Sequence, residues 1–266
     1  MPEPFEALYR LFNRPEWIGD DPVQWPRRVP AGPDRELAGL VAAALAFGQV
    51  RQIHRSVAAV MDPLGPTPSL ALSAMSARET DRLYKEFRHR WIGPEDLIAF
   101  LGAIRWAFRE HGSLGDHLAS CLKDAQGDVR RGLAGWVRAL KDRMDGRGGY
   151  LLPDPAGGGA AKRLHLFLRW MVRQDAVDPG GWTMLTPAQL LPPLDTHLHR
   201  LALRLGFTTR RQATARAVDD VASAFRILCP KDPVRYDFAL TRVGIGGESA
   251  RNAVARIPRM ADWFGD

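Results

Sequence analysis

The sequence predicts an all-α protein, because apolar residues recur at helical spacing and no run of residues alternates between apolar and polar as a strand does. Proline and glycine separate the helical runs, and β-branched residues are few. The predicted helices cover residues 4–13, 34–61, 77–89, 94–110, 114–123, 129–144, 160–172, 187–190, 196–205, 214–229, 234–243 and 248–264. We expect an N-terminal segment over 1–33, packed on the last part of the chain, and two helical subdomains over 34–159 and 160–266 that flank a cleft.

The composition excludes several classes of protein. With 266 residues, 45% of them apolar and 25% charged, the chain can bury a core, so disordered and fibrous classes are excluded. The longest apolar run, 37–47, is far shorter than the roughly 20 residues of a membrane helix. The N-terminus has no basic head and apolar stretch of an export signal, so we expect a cytoplasmic protein. Two cysteines, Cys121 and Cys229, cannot supply the ligands of an iron–sulfur cluster.

Residues 34–61 are predicted to form the central helix of the core. The first half, LAGLVAAALAF, is apolar nearly all round and must be surrounded by other helices. The polar and basic sequence GQVRQIHRS follows it. We therefore expect the helix to break near Gly48 and its end to emerge at a functional surface.

Residues 145–159, DGRGGYLLPDPAGGG, are the least helical stretch and have two interpretations. They form either a flexible linker or a tight helix–loop–helix in which the backbone amides of Gly157, Gly158 and Gly159 approach a phosphate. The apolar cluster at 150–152 favours the second interpretation, because its exposure in a linker would be unfavourable.

Two residues are candidates for chemistry. Lys162 opens a helix directly after the glycines, where the helix dipole disfavours a cation and thus favours a neutral, nucleophilic amine. Asp195 precedes an amphipathic helix and is its predicted N-cap, which keeps an ionised carboxylate at the helix end. A solvated lysine and a purely structural cap are the simpler interpretations. His197 and His199 lie two positions apart on a helix and face different ways, so we expect no metal site.

Together these segments resemble the helix–hairpin–helix DNA glycosylase superfamily, which includes endonuclease III and the 8-oxoguanine glycosylases. The resemblance is carried by Lys162 after the glycine run, by Asp195-Thr196-His197 with Arg200, and by Ala46-Phe47-Gly48-Gln49 at the end of an apolar helix. The long interval between Lys162 and Asp195 resembles the archaeal 8-oxoguanine glycosylases. Further phrases, among them Tyr236-Asp237-Phe238-Ala239-Leu240, resemble a bacterial family of conserved hypothetical proteins.

The resemblance implies a DNA N-glycosylase with AP lyase activity that flips out and excises an oxidised purine, above all 8-oxoguanine. It implies that Lys162 is the nucleophile and Asp195 the essential carboxylate. Base recognition is expected from Asp237, Phe167, Trp170 and Thr241, the last standing where the family has an aromatic. Contacts with DNA are expected from Gln49, Arg51, Gly157, Gly158, Gly159, Arg163, His197 and Arg200.

The implied partner is double-stranded DNA that contains a damaged base, bound by a nucleoid-associated monomer without membrane contact. No cofactor is required and no iron–sulfur cluster or catalytic metal is expected, although hairpin carbonyls of the family can hold a monovalent cation. The hairpin departs from the family pattern, since Leu152-Pro153-Asp154-Pro155 precedes the glycines.

Two other functions stay open at this stage. The first is a non-catalytic, structure-specific DNA- or RNA-binding protein of the same fold, in which Lys162 binds phosphate and Asp195 only caps a helix. The second is an unrelated all-α scaffold that binds protein. The net charge of +7 favours a polyanionic partner, but an arginine-rich composition alone makes a chain basic.

Overall fold

A computed structural model describes residues 3–245, Ala250 and Asn252, and within them the protein is all-helical, as the sequence predicts. No strand occurs among these residues, which contain three isolated antiparallel bridges. The α-helices are α1 Glu3–Phe12, α2 Gln24–Arg27, α3 Pro33–Ala44, α4 Val50–Met61, α5 Pro68–Ala74, α6 Ala77–Tyr84, α7 Pro94–His111, α8 Leu114–Asp124, α9 Val129–Lys141, α10 Lys162–Val172, α11 Thr196–Arg204, α12 Ala215–Leu228 and α13 Asp237–Ile245. The helix predicted over 248–264 lies outside the described residues, Ala250 and Asn252 excepted.

The central helix of the core is α3, as predicted. Its residues from Glu36 to Ala44 are all buried, and it packs against α2, α4, α5, α8 and α10. The predicted break near Gly48 is also confirmed, since α3 ends at Ala44 and α4 begins at Val50. Gly48 has a φ of +94°, which only glycine adopts without strain. Leu45 and Ala46 are buried while Gly48 and Gln49 are exposed, so the turn of residues 45–49 runs from the core to the protein surface.

The apolar core has two clusters. The larger one contains α3 together with buried residues of α4 to α10. The smaller one joins α1 to α11, α12 and α13 through buried residues that include Phe5, Leu198, Val221 and Tyr236. The two clusters meet at Trp17, which packs against both, and at α13, which contributes Phe238 to the larger cluster and Leu240 to the smaller one.

The clusters do not coincide with the expected boundaries at residues 33 and 160. The buried apolar residues of α10 belong to the larger cluster, because α10 packs against α3 and Phe167 stacks on Trp136 of α9. The N-terminal segment is divided, since α1 packs in the smaller cluster while Ile18, Val23 and Trp25 pack in the larger one. Membership of a core cluster is therefore determined by contacts between distant segments and not by position in the sequence.

Several predicted bounds differ in detail. The helix predicted over 187–190 is a 3-10 turn, Pro187–Gln189, and α5 was not predicted because its seven residues give a weak periodic signal. Among the described residues no helix is both long and apolar enough to cross a membrane.

Candidate functional site

A pocket of about 630 Å³ lies where the turn of residues 45–49 meets α10, α11 and α13. We call it the polar pocket. Its charged and polar lining is Asp20, Asp21, Lys162, Arg169, Asp195, Thr196, His197, Asp237, Thr241 and Arg242, and apolar residues of its wall include Phe47, Leu166 and Phe238. The volume lies within the usual range of small-molecule and nucleotide sites.

Asp195 occupies the N-cap position of α11, as predicted. Its Oδ1 accepts a hydrogen bond from the backbone N–H of Leu198 at 2.8 Å. Pro192, Pro193 and Leu194 before it are buried, so the chain enters the helix in a fixed direction. Asp195 is half-buried and borders the pocket.

Lys162 is the first residue of α10 and borders the same pocket. The residue before it, Ala161, has a left-handed backbone with a φ of +44°, and no side chain caps this helix. Lys162 forms no ion pair among the residues that the structure describes. The amine and the Asp195 carboxylate therefore border one pocket from the N-terminal ends of two separate helices.

Asp237 is buried at the edge of the polar pocket and paired with Arg169 of α10. Arg169 Nη1 lies 3.1 Å from Asp237 Oδ1, which also accepts from the backbone N–H of Phe238. Arg169 also forms an ion pair with Asp178. Arg173 forms ion pairs with Asp178, Asp175 and Asp232. The four carboxylates, Asp175, Asp178, Asp232 and Asp237, outnumber the two guanidinium groups.

Burial raises the pKa of Asp237 to about 7, and the charge of Asp178 adds to this rise, whereas Arg169 and Arg173 lower the pKa. The Asp237 carboxyl can therefore carry a proton near neutral pH and act as a donor as well as an acceptor. Arg169 and Arg173, 3% exposed each, belong to this network and do not reach the protein surface.

The turn of residues 45–49 is held from beneath by two buried side chains. His89 Nε2 donates to the carbonyl of Phe47 at 3.1 Å, so its Nδ1 accepts from the Ser56 hydroxyl at 2.8 Å. Arg163 donates to the carbonyl of Ala44 at 2.7 Å and to that of Tyr150. The end of α3 is thus fixed, and the turn projects at the mouth of the polar pocket.

Gln49 and Arg51 are exposed at this turn and at the start of α4. His197 and Arg200 are exposed on α11, with His197 at the polar pocket, and Thr241 borders the pocket from α13. Each of these predicted contact residues is therefore accessible from solvent or from the pocket.

Three other predicted residues are not accessible. Phe167 and Trp170 are at most 1% exposed and pack in the larger core cluster, so neither can stack on a base. Arg163 is also buried, and its guanidinium is occupied by backbone carbonyls and by the rings of Phe47 and Tyr150. The predictions for these three side chains are wrong, because α10 is covered on more sides than an amphipathic surface helix.

The glycines at 157–159 do not border the polar pocket. Gly158 O accepts from the N–H of Ala215 at 2.9 Å, and Gly159 forms an isolated bridge with Thr214, so the loop docks on the start of α12. Gly159 borders a second cavity instead. Residues 142–161 separate α9 from α10 and include a 3-10 turn, so the connection is longer than the tight helix–loop–helix that was predicted.

A surface feature that the sequence analysis missed lies beside the polar pocket. Phe47, Trp91 and Tyr150 contact each other with ring centroids 5.1–5.2 Å apart, and we call these rings the aromatic patch. Trp91 is 57% exposed and Tyr150 48% exposed, while Arg90 lies over the Trp91 ring. The signal in the sequence was weak, because a lone tryptophan is more often buried than exposed.

No metal site is suggested by the described part of the chain, which contains no group of three or more His, Cys, Asp and Glu side chains placed to hold an ion. Four of the seven charged side chains of the polar pocket instead form ion pairs, Arg169 with Asp237 and Arg242 with Asp21.

The sequence was compared with known proteins and families. The family model DUF2400, described as a protein of unknown function, matches residues 21–246. No curated protein and no solved structure matches the chain. The matched range extends from Asp21 to beyond Ile245, and so includes nearly all of the polar pocket. The chain therefore belongs to the DUF2400 family.

Proposed function

We propose that the protein is a DNA N-glycosylase with AP lyase activity that excises an oxidised purine, with 8-oxoguanine as the expected substrate. One observation carries the proposal: Lys162 and Asp195, the two residues that the resemblance to helix–hairpin–helix glycosylases singles out, border one pocket. They are 33 positions apart in the chain and lie on different helices, so local sequence alone does not require this.

The charge of the polar pocket supports this chemistry. Four carboxylates border it, from Asp20, Asp21, Asp195 and Asp237, against the cations of Lys162, Arg169 and Arg242. A site that binds only phosphate would favour an excess of cations. Carboxylates instead stabilise the positive charge that develops at a sugar C1′ atom as the glycosidic bond breaks.

The amine nitrogen of Lys162 attacks C1′. The electron pair of the bond between C1′ and the base leaves with the base, which takes up a proton from water. Asp195 stabilises the cationic transition state and accepts the proton that the amine loses. The nitrogen lone pair then expels O4′ from C1′, and O4′ takes the proton held by Asp195, so the opened sugar is joined to Lys162 as a Schiff base. Loss of a C2′ proton to water then expels the 3′ phosphate by β-elimination, which breaks the DNA strand. Asp237, whose pKa is raised to about 7, is suited to hydrogen-bond the edge of the purine.

The mouth of the pocket supports binding to a flipped nucleotide. Base flipping costs a few kcal/mol, which side chains inserted into the duplex can offset. Gln49 and Arg51 are exposed at the mouth, and the aromatic patch offers flat apolar rings beside it. Aromatic rings stack on bases of any sequence, at about 1–3 kcal/mol for each base.

The finer architecture belongs to the same proposal: two helical subdomains that flank a DNA-binding cleft, in a nucleoid-associated, cytoplasmic monomer that acts on double-stranded DNA. In it, the long connection over 142–161 replaces the hairpin of the superfamily. A monovalent cation held by carbonyls of this connection belongs to the same proposal, since the carbonyls of Gly158 and Asp154 each accept one hydrogen bond and keep a second lone pair. No step above requires a cation or another cofactor.

The test is borohydride trapping on a duplex that contains 8-oxoguanine. The wild-type protein should form a covalent complex, and Lys162→Gln should lose it. Lys123→Gln, which changes an exposed lysine of α8, is the matched control and should trap as the wild type does. Trapping that persists in Lys162→Gln would exclude Lys162 as the nucleophile.

The second candidate is a non-catalytic protein that binds DNA or RNA structures, and the exposed aromatic patch favours it equally. This function predicts salt-sensitive binding that Asp195→Asn leaves unchanged, together with no base release from any damaged duplex. Base release by the wild-type protein alone would exclude it.

A further inference from the structure

A second cavity lies on the neighbouring face of α10. It measures about 290 Å³, and we call it the His165 cavity. Successive residues of a helix point about 100° apart. Lys162, Leu166 and Arg169 thus border the polar pocket, while Ala161, His165 and Leu168 border the His165 cavity.

The wall of this cavity is mostly aliphatic. Five buried aliphatic residues line it: Leu133 of α9, Leu168 of α10, Val218 of α12, and Leu185 and Leu190 from the segment between α10 and α11. A dry apolar cavity of about 150 Å³ is large enough to bind benzene. The His165 cavity has about twice that volume, which suits a fused two-ring molecule.

His165 is the polar group at the buried end. It is 6% exposed, and its imidazole has no hydrogen-bond partner among the described residues. The buried imidazoles of His89 and His199, in contrast, bond to backbone carbonyls. The ring nitrogens of His165 are not among the fully enclosed side-chain atoms that lack a hydrogen-bond partner, so they open onto the cavity, and their donor and acceptor are available to a molecule bound there.

The protonation of His165 limits the chemistry of that ligand. Burial lowers the pKa of His165 to about 4, so the ring is neutral and presents one N–H donor and one nitrogen acceptor. Arg130 and Asp219, whose charges act on His165, are already paired with each other, so a charged group beside the ring would lose its solvation without gaining an unpaired opposite charge. The buried part of the ligand is therefore uncharged and carries both hydrogen-bonding types.

The mouth of the cavity is polar. Arg130 of α9 and Asp219 of α12 form an ion pair there, both about half exposed. Arg226 is exposed at the mouth and forms no ion pair among the described residues. The ion pair ties α9, in the larger core cluster, to α12, in the smaller one.

We propose that the His165 cavity binds an uncharged, fused two-ring nitrogen heteroaromatic molecule, with the rings between the aliphatic side chains and the nitrogen edge at His165. The two rings are inferred from the volume of the cavity. The nitrogen edge is inferred from the hydrogen-bond donor and acceptor of His165, which have no partner among the described residues. This site does not depend on the proposed glycosylase activity, because neither Lys162 nor Asp195 borders it.

The test uses benzimidazole and purine as probes, added to the full-length protein at up to millimolar concentration. Binding is followed by calorimetry and by the NMR resonances of the His165 ring. We expect saturable shifts of these resonances and nuclear Overhauser contacts between the ring protons of His165 and of the probe. Naphthalene, which has two rings but no nitrogen edge, is expected to bind at least tenfold more weakly than benzimidazole.

Three variants locate the site. His165→Leu keeps the shape but removes the hydrogen bonds, and should weaken benzimidazole binding about tenfold, or about 1.4 kcal/mol. Val218→Phe fills part of the cavity and should abolish binding, whereas Lys162→Gln, on the other face of α10, should leave it unchanged. If Val218→Phe fails to fold, the Overhauser contacts in the wild type decide alone.

Three results would overturn the proposal. The first is the absence of any shift at His165 with both probes. The second is equal binding by wild type and His165→Leu. The third is binding that Lys162→Gln abolishes, since that would put the probe in the polar pocket.

Discussion

Two neighbouring faces of the helix α10 border pockets that differ in charge, although both faces belong to one helix of about three turns. The polar pocket on one face contains four carboxylates and three cations, most of them paired. The His165 cavity on the next face has aliphatic walls and a neutral imidazole. The difference arises from the elements that pack opposite each face. Residues of α11, α13 and the turn of residues 45–49 line the polar pocket, whereas residues of α9 and α12 line the His165 cavity.

The comparison shows how burial decides the charge of a side chain. Arg169 is as buried as His165, yet it stays charged because Asp178 and Asp237 lie against it. His165 has no such carboxylate in contact, so burial favours its neutral form. Four predictions test this contrast, in order of the expected change in free energy.

The largest effect is expected in the core behind both faces. Phe167 is fully buried against Trp136 and Trp182, so Phe167→Ala should lower the free energy of unfolding by about 3–5 kcal/mol. Leu166→Ala, one position away and only half-buried at the polar pocket, should cost clearly less. Urea denaturation measures both. A loss of stability from Phe167→Ala no larger than that from Leu166→Ala would contradict the placement of the Phe167 ring in the core.

The next effect separates charge from helix capping at the polar pocket. Asp195→Asn retains a side-chain oxygen for the cap but removes the negative charge, so base excision should slow about 10²–10³-fold with little change in stability. Single-turnover excision on the damaged duplex measures the rate. The matched control is Asp128→Asn at the N-cap of α9, which should excise normally. Wild-type excision by Asp195→Asn would refute the role of the carboxylate.

The two faces should also respond oppositely to pH. The pKa of His165 is about 4 in the folded protein and 6.5 as a free group. Between pH 4 and 6.5 the ring is therefore neutral in the folded protein but protonated in the unfolded chain. Relative to His165→Gln, wild-type stability should fall by up to about 3 kcal/mol as pH drops from 6.5 to 4. The pKa of Asp237 is raised, so the folded protein keeps a proton that the unfolded chain loses between pH 4 and 7. Wild-type stability relative to Asp237→Asn should therefore fall as the pH rises from about 4 to 7. Unfolding curves at several pH values test both, and parallel slopes for the two variants would refute the contrast.

The smallest effect is expected outside both faces, at the aromatic patch. Trp91→Ala should change stability by less than about 0.5 kcal/mol, because the ring is largely exposed. It should weaken DNA binding about tenfold if the ring stacks on a base. Leu70→Ala, an exposed apolar residue of α5, is the control and should bind DNA as the wild type does. Equal affinity of Trp91→Ala and wild type would show that the patch does not contact DNA.

Features with a local cause could be predicted from the sequence. The Asp195 cap depends on residues within one helical turn, and the break near Gly48 follows from a change in polarity and one glycine. Lys162 and Asp195 were predicted to share a pocket only through the resemblance, because no local rule relates residues on separate helices.

The amino-acid sequence by itself determined the helical class, the buried α3, the surface turn after it and the two helix ends that carry Lys162 and Asp195. Only the tertiary structure decided which side chains of α10 reach a pocket. Phe167, Trp170 and Arg163 follow the same helical period as Lys162, yet they are covered by α3 and by the connection over 142–161. Helical periodicity fixes the angle between side chains on one helix, but the free energy of burial depends on neighbours that are distant in the chain.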